Sequence, residues 1–361
     1  MKATIETSLT KNPRPKTPAS QLGFGKYFAD HMFTLEYNSK AWISPKITPY
    51  TSLMLEPGAA VFHYGQAMFE GLKAFRAVSG KIHLFRPEFH AKRMANGAAR
   101  LCMPSVPEDI FLAAIEKLVK VDESWIPTEI GSALYLRPTL IGTESFLGVR
   151  PSEKYLFFII SSPVGAYYAE GFAPVKIWIE DETARAAPGG LGAIKAAANY
   201  AASLQASTAA KKKGFSQVLW LDASERKYIE EVGTMNVFFY IGDEVITPSL
   251  DGTILAGSTR DCVLQILKTW NIPVKERKIS LAEINEAHNN GLLKEVFGSG
   301  TAAVISSVGE LTGTKNKIII NNAKVGELTQ RLHTEISAIQ YGLKPDIYNW
   351  IKVLDQGAGL A

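Results

Sequence analysis

Lys195 lies in the stretch Gly190-Leu191-Gly192-Ala193-Ile194-Lys195-Ala196-Ala197-Ala198-Asn199-Tyr200, with a phenolic hydroxyl five residues further on. No carboxylate stands beside it in the chain, and a desolvated ammonium without a counter-ion is costly. Chemistry that needs a neutral lysine amine, above all imine formation with a carbonyl, favours such a setting. The ordinary alternative is a lysine snorkelling out of an apolar helix start. Two acids occur together in Glu230-Glu231-Val232-Gly233-Thr234-Met235-Asn236. Either carboxylate could keep a pyridine nitrogen protonated, so that the ring draws electrons from a carbanion. A solvated turn accounts for the same residues without chemistry. Successive strand residues face opposite sides, so only one of the two acids can serve.

Leu255-Ala256-Gly257-Ser258-Thr259-Arg260-Asp261 reads as the junction between a strand and a helix. Ser258 and Thr259 are ordinary helix caps there. The same geometry leaves backbone N–H groups and two hydroxyls for a phosphate. Phe297-Gly298-Ser299-Gly300-Thr301-Ala302-Ala303 offers a turn with further N–H donors. None of these glycines fits GxGxxG in a βαβ unit or GxxxxGK[ST], which disfavours dinucleotides and nucleoside triphosphates. In the first half, Tyr64 and Phe69-Glu70-Gly71 follow a strand-like segment, and Arg137 sits in the apolar run Ala133-Leu134-Tyr135-Leu136. An arginine there calls for a buried anion or an internal salt bridge. Arg93 is adjacent to Lys92, and nothing intrinsic separates the two.

The elements that must carry these groups follow from periodicity and punctuation. Residues 1–20 read as an extended arm bearing Pro13, Pro15 and Pro18. Val61–Tyr64, Ala74–Val78 and Lys81–Phe85 read as strands, the last two joined across Ser79-Gly80. Helices are expected from Pro87 towards Leu101 and over Ile110–Val119. Ala133–Pro138 and Leu156–Ser161 are apolar enough to be buried strands. Residues 162–174 contain Pro, Gly and small residues between two strand-rich halves and read as a linker. This gives a smaller domain over 1–161 and a larger one over 175–361. The latter opens with the strand Val175–Glu180 and continues through a helix from Tyr200 to Lys213 and the strand Gln217–Leu221. A hairpin of Met235–Ile241 with Val245–Pro248 is expected, and Ser280 with Glu283 signals a capping box. Strands and helices mix without strict βαβ alternation, which favours two α+β domains over a doubly wound sheet.

A chain of 361 residues with 46% hydrophobic and 20% charged residues is an ordinary globular composition. The net charge of +4 is small, and Lys211-Lys212-Lys213 before Gly214 suits a helix C-terminus, so nucleic-acid binding has little support. Cys102 and Cys262 form no CxxC pair, and the six histidines show no ligand spacing. Neither a disulfide framework nor a catalytic metal is expected. The N-terminus lacks the apolar core of a signal peptide, and no run reaches membrane-spanning length. The expectation is a soluble, cytoplasmic protein.

Together these segments resemble the branched-chain-amino-acid aminotransferases, pyridoxal-phosphate enzymes of fold type IV. The similarity begins at Gln21-Leu22-Gly23-Phe24-Gly25 and His63-Tyr64-Gly65-Gln66-Ala67-Met68-Phe69-Glu70-Gly71-Leu72-Lys73. It continues through Tyr135-Leu136-Arg137-Pro138, Glu231–Asn236 and Val296–Thr301 to Ile339-Gln340-Tyr341-Gly342. The resemblance implies an α+β fold of two domains in the D-amino-acid-aminotransferase-like architecture, with the active site between them. It implies that Lys195 binds pyridoxal 5'-phosphate covalently and then moves a proton between the substrate α-carbon and C4′. Tyr200 would bond the ring oxygen, Glu231 rather than Glu230 the pyridine nitrogen, and Thr234 would lie near the ring. Arg93 rather than Lys92, with Ser258, Thr259 and Thr301, would hold the phosphate.

The implied substrate pocket is Phe24, Tyr64, Phe69, Tyr135, Arg137 and Ala302. Its aromatic walls would bury an aliphatic side chain, and Arg137 would meet the γ-carboxylate of glutamate. The N–H groups of Thr301 and Ala302, with the Tyr64 hydroxyl, would hold the α-carboxylate. The expected reaction moves the amino group of L-leucine, L-isoleucine or L-valine to 2-oxoglutarate in a ping-pong cycle. The loop Gly142–Val149 resembles a segment that closes the neighbouring subunit's site, which implies a homodimer. Where some animal members carry a redox-active CxxC, this chain has Ala303 and Ser306, so thiol regulation is not expected there. A D-amino-acid aminotransferase or an aminodeoxychorismate lyase would share Lys195 and Glu231. A non-catalytic phosphate-binding protein would need neither.

Overall fold

The computed structural model describes residues 4–165, 172–315 and 317–354. Contacts divide the chain into two units: Met1–Ala169 with Lys195–Ala198 and Ala338–Ala361, and Glu170–Ile194 with Asn199–Ser337. Ser162–Val164, expected in the linker, instead end the strand Lys154–Val164. The middle of that linker, residues 166–171, lies outside the described residues. The C-terminal stretch, expected wholly in the second domain, returns to the first sheet, where Ile351–Leu354 pairs antiparallel with Ile82–Phe85. Long-range pairing of this kind leaves no local trace in the sequence.

The first unit is built on a nine-stranded sheet. Its central strands are His31–Asn38, Lys154–Val164, Ala133–Gly142 and Leu72–Arg76, each antiparallel to the next. Leu134, Leu136 and Leu140 alternate along Ala133–Gly142 and are fully buried with Phe33, Phe111 and Phe157. Those residues belong to the core that includes the apolar faces of the helices Pro87–Arg100 and Glu108–Val121. Period-2 alternation therefore puts Tyr135 and Arg137 on the opposite face of the sheet from the leucines. Pro87 occupies the first helical turn, as expected.

Val61–Tyr64, expected as a strand, lies in the short helix Ala60–Tyr64. Its β-branched and aromatic residues carry a strand-like composition, but the chain is reversed on both sides. The Phe62 N–H bonds the Ala59 carbonyl at 2.9 Å, and Gly65 ends the helix in the left-handed region at φ 59°.

In the second unit, Val175–Glu180, Gln217–Leu221, Ile229–Val232, Met235–Ile241, Leu293–Gly300 and Val304–Thr312 pair in that order, and the last pairs with the first. The ring is a closed barrel, which leaves none of these strands as a free edge. Met235–Ile241 also forms the expected hairpin with Glu244–Thr247. Leu255 is preceded by loop rather than by the expected strand. The Ser280 hydroxyl accepts from the Glu283 N–H at 3.1 Å, giving half of the capping box; the Glu283 carboxylate is drawn to Arg277 instead.

Glu295 fixes the helix Glu327–Gln340 to this barrel. Its buried carboxylate accepts from the Leu328 N–H at 2.9 Å, the Thr329 N–H at 2.8 Å and the Thr329 hydroxyl at 2.7 Å. An anion at a helix N-terminus satisfies the first-turn donors and opposes the helix dipole. Glu295→Ala should therefore destabilise the protein by about 2–4 kcal/mol. Denaturant unfolding checks this, and an unchanged midpoint would contradict the assignment.

Candidate active site

In the first unit, Lys195 is anchored by its backbone. Its carbonyl accepts from the Phe69 N–H at 3.2 Å, and Ala196 bridges Met68. The amine lies 5.0 Å from the centre of the Phe69 ring. Although the residue as a whole is half-buried, burial around the amine is the largest influence and pushes its pKa down to about 8. Arg93 and Arg137 act in the same direction, and Glu70 and Tyr135 oppose them.

Glu70 is fully buried at the end of the strand Ala67–Phe69. Its carboxylate accepts from Arg93 Nε and Nη2, both at 2.7 Å, and contacts His90 Nδ1 at 2.7 Å. Burial alone would raise the Glu70 carboxyl; Arg93, then His90, outweigh it and hold it well below the usual carboxylate range. His90 is pushed down by burial, with Glu70 partly compensating. His90 and Arg93 come from one helix face at i, i+3 spacing.

Arg137 lies over the Phe69 ring at 4.5 Å and the Tyr135 ring at 5.2 Å, and donates to the Tyr135 hydroxyl at 3.1 Å. Its Nε is buried without a hydrogen-bond partner among the described residues. The internal salt bridge that the sequence allowed is not what holds it. Phe24 meets the Tyr135 ring edge-on at 4.9 Å. Gly71 is required by this packing, because a Cβ there would lie inside the Tyr135 hydroxyl. Tyr64 stands apart from these contacts; it is half-exposed, and its hydroxyl donates to the Leu147 carbonyl.

In the second unit, a pocket is lined by Arg185, Ile194, Tyr200, Glu231, Thr234 and Asn236, among others. Ile194 precedes Lys195 in the chain. The turn containing Ile194 is held by Asn199, whose amide donates to the Leu191 and Ile194 carbonyls at 2.8 and 2.9 Å. Glu231 accepts from the Leu255 N–H at 3.0 Å and pairs with Arg185 Nε at 3.1 Å, a charge contact outside hydrogen-bond geometry. Glu230 lines a different cavity, with Tyr228 and Lys278, and burial raises its pKa. The two acids thus diverge as strand alternation requires.

Val232 pairs with Met235, so Gly233-Thr234 is a two-residue hairpin loop. Gly233 has φ 59°, and the Trp220 indole donates to its carbonyl at 2.9 Å. Asn236 ties three segments together: it pairs with Ser299, and its amide donates to the Leu255 carbonyl at 2.9 Å. Ser258 and Thr259 are buried in the first turn of the helix Ser258–Thr269. They are not its cap, since Gly257 holds that position and supplies no side-chain oxygen. Thr301 and Ala302 form the turn between Leu293–Gly300 and Val304–Thr312. Ser258, Thr259, Thr301 and Ala302 do not line the Glu231 cavity itself.

Four residues with clear roles in this geometry were given none from sequence: Glu70, His90, Asn199 and Arg185. His90-x-x-Arg93 carried a usable signal, the helical spacing that puts both on one face. Arg185 carried none.

The amino-transferase class IV family profile matches residues 67–311. The chain is 49% identical over 350 residues to branched-chain-amino-acid aminotransferase 2 of Bacillus subtilis, covering 97% of this chain and 96% of that protein. This chain belongs to the branched-chain-amino-acid aminotransferase family. Among solved members of the family, the Escherichia coli enzyme superposes with a TM-score of 0.75 at 25% identity, over 90% of this chain and 98% of that one. The Thermobaculum terrenum enzyme in its PLP form gives 0.71 at 21% identity, over 90% and 98%. Among the described residues no helix is long and apolar enough to cross a membrane, and no cluster of three metal-ligating side chains occurs.

The Lys195 amine is neutral above its pKa, so its reactivity should rise through pH 8 rather than through the ordinary lysine value of 10.5. Peptide-resolved amine labelling of the cofactor-free chain checks this. A midpoint above pH 10 would contradict the site described.

Proposed function

We propose that this chain transfers the amino group of L-leucine, L-isoleucine or L-valine to 2-oxoglutarate, with pyridoxal 5'-phosphate as cofactor. The single observation that carries the reading is a lysine amine held 5.0 Å from the Phe69 ring, its pKa pushed down by burial, in a chain that also sets a buried carboxylate, Glu231, in a pocket with Tyr200 and Thr234. The residues fit the cofactor. The Glu231 carboxylate stands 3.1 Å from Arg185 Nε and would hold a proton on a pyridine nitrogen. The first-turn N–H groups and hydroxyls at Ser258 and Thr259, with Arg93 and Thr301, suit a phosphate. When bound, pyridoxal phosphate supplies the electron sink that lets the α C–H bond of an amino acid break.

Lys195 would provide the amine that binds the cofactor and would then carry the proton between the substrate α-carbon and C4′. Tyr200 would orient the cofactor ring through the ring's oxygen, and Thr234 would lie near the ring. Phe24, Phe69 and Tyr135 exclude water from an aliphatic side chain, and Tyr64 with the N–H groups of Thr301 and Ala302 holds the α-carboxylate. Arg137, with no carboxylate partner among the described residues, would meet the γ-carboxylate of glutamate. One pocket then serves both half-reactions.

We also infer a homodimer in a reducing, cytoplasmic setting. Phe146, Leu147 and Val149 present apolar surface on the loop after Gly142, and both cysteines are free thiols. Sedimentation at micromolar concentration should give twice the chain mass, and a monomer would refute the assembly.

Lys195→Ala should abolish both turnover and the imine absorbance, and retained turnover would end this reading. Arg137→Met should lower kcat/KM for glutamate by about 100-fold while changing leucine by only a few-fold. A panel of amino donors that instead favoured D-alanine would replace the substrate assignment and keep the cofactor.

A further inference from the structure

His31 is gripped at both ring nitrogens, by a carboxylate on one side and by the N-terminal arm on the other. It opens the strand His31–Asn38 and is buried, as is Asp122, the residue that follows the helix Glu108–Val121. Asp122 accepts from the His31 backbone N–H at 3.1 Å and meets the ring's Nδ1 at 2.7 Å. Across the ring, the Thr10 backbone N–H donates to Nε2 at 2.9 Å. An amide N–H only donates, so Nε2 is the bare nitrogen and Nδ1 carries the proton towards Asp122. Just before Thr10 the arm forms the outermost strand of the first sheet. Glu6–Thr7 pairs parallel with Trp42–Pro49, the Ser8 N–H bonds the Ile47 carbonyl at 2.9 Å, and Ile5 is buried.

We propose that His31 is a proton-operated latch for residues 5–10: the arm docks while Nε2 can accept from Thr10 and is released when that nitrogen takes a proton. Thr10 and the proton compete for one lone pair. Protonation turns Nε2 into a donor facing another donor, and the buried pair of N–H groups is left without a bond. The surrounding charges act on both sides of this competition. Asp122, with Asp30 near it, stabilises an imidazolium, whereas the Lys16 ammonium, within the field of both acids and 4.0 Å from the Trp125 ring centre, opposes one. Arg14 is engaged with the Phe28 and Ala29 carbonyls and the Tyr50 ring. The docked arm needs a neutral ring, so the released state binds one proton more. Docking is therefore complete at high pH and is lost as pH falls. Release would uncover the strand Trp42–Pro49, whose outer backbone groups the arm now pairs. The latch does not depend on the reaction assigned to the site.

Hydrogen exchange of the full-length protein, corrected for the intrinsic rate at each pH, is followed from about pH 8 to about pH 5, where histidine side chains ordinarily change charge. The amides of residues 5–9 should lose protection as pH falls, by at least about fivefold over the range. The loss should not exceed about tenfold per pH unit, because one proton is exchanged. Amides of the central strand Ala133–Gly142 should keep their protection. His31→Gln, neutral throughout, should make protection of the arm independent of pH. Thr10→Pro removes the donor from the arm and leaves the buried dyad intact; it should hold the arm open at both ends of the range, and it decides the matter should His31→Gln not fold. Protection of residues 5–9 that stays flat in the wild type overturns the proposal, as does a loss shared by the central strand. So does a wild-type pH dependence that survives in either variant, which would assign the titration to another group.

Discussion

An ammonium is costly to enclose, and the first unit is organised around making one enclosure tolerable. The Lys195 amine stands against the face of Phe69, with Arg93 and Arg137 near enough to disfavour its charge. Two cations beside a lysine would be destabilising on their own. They persist because each is held by something else: Arg93 by a carboxylate that gives up all contact with water, and Arg137 by two aromatic faces and a phenol. The sheet supplies that division, keeping leucines on one face for the core and polar groups on the other for chemistry.

The second unit solves a complementary problem, holding a carboxylate in place beside a cation. Glu231 has a backbone donor and an arginine at charge-contact distance, whereas its neighbour Glu230 is raised by burial. Adjacent residues thus occupy different surroundings. Only the pleat of the strand between them makes that possible, and the closed barrel keeps that pleat in register.

Much of the chemistry was legible because its residues are contiguous. Glu231-Val232-Gly233-Thr234 and Gly190–Tyr200 each carry their own context, so a residue's neighbours in sequence are also its neighbours in space. Glu70 is different. Its partners stand 20 and 23 residues away, and only folding reveals that Phe69-Glu70-Gly71 faces His90 and Arg93. Arg185 reaches Glu231 from the loop before the Gly190 turn, with no spacing rule to announce it. The fold shows the same divide. Helix starts at Pro87 and at Ser280 were local facts and were readable, but the return of Ile351–Leu354 to the first sheet and the closure of the barrel are non-local pairings. At Ala60–Tyr64 a local reading misled, because composition suggested a strand where flanking turns impose a helix.

The Gly233-Thr234 loop has a consequence for how this protein can vary. Strand parity has only two values, and a slip of one residue in Ile229–Val232 would present Glu230 where Glu231 now points. Longer hairpin loops tolerate such slack. A two-residue loop pinned by the Trp220 indole does not, so its length is set by which acid must face the cavity. Insertions elsewhere on the barrel surface are a matter of stability; at this hairpin they would exchange one acid for the other.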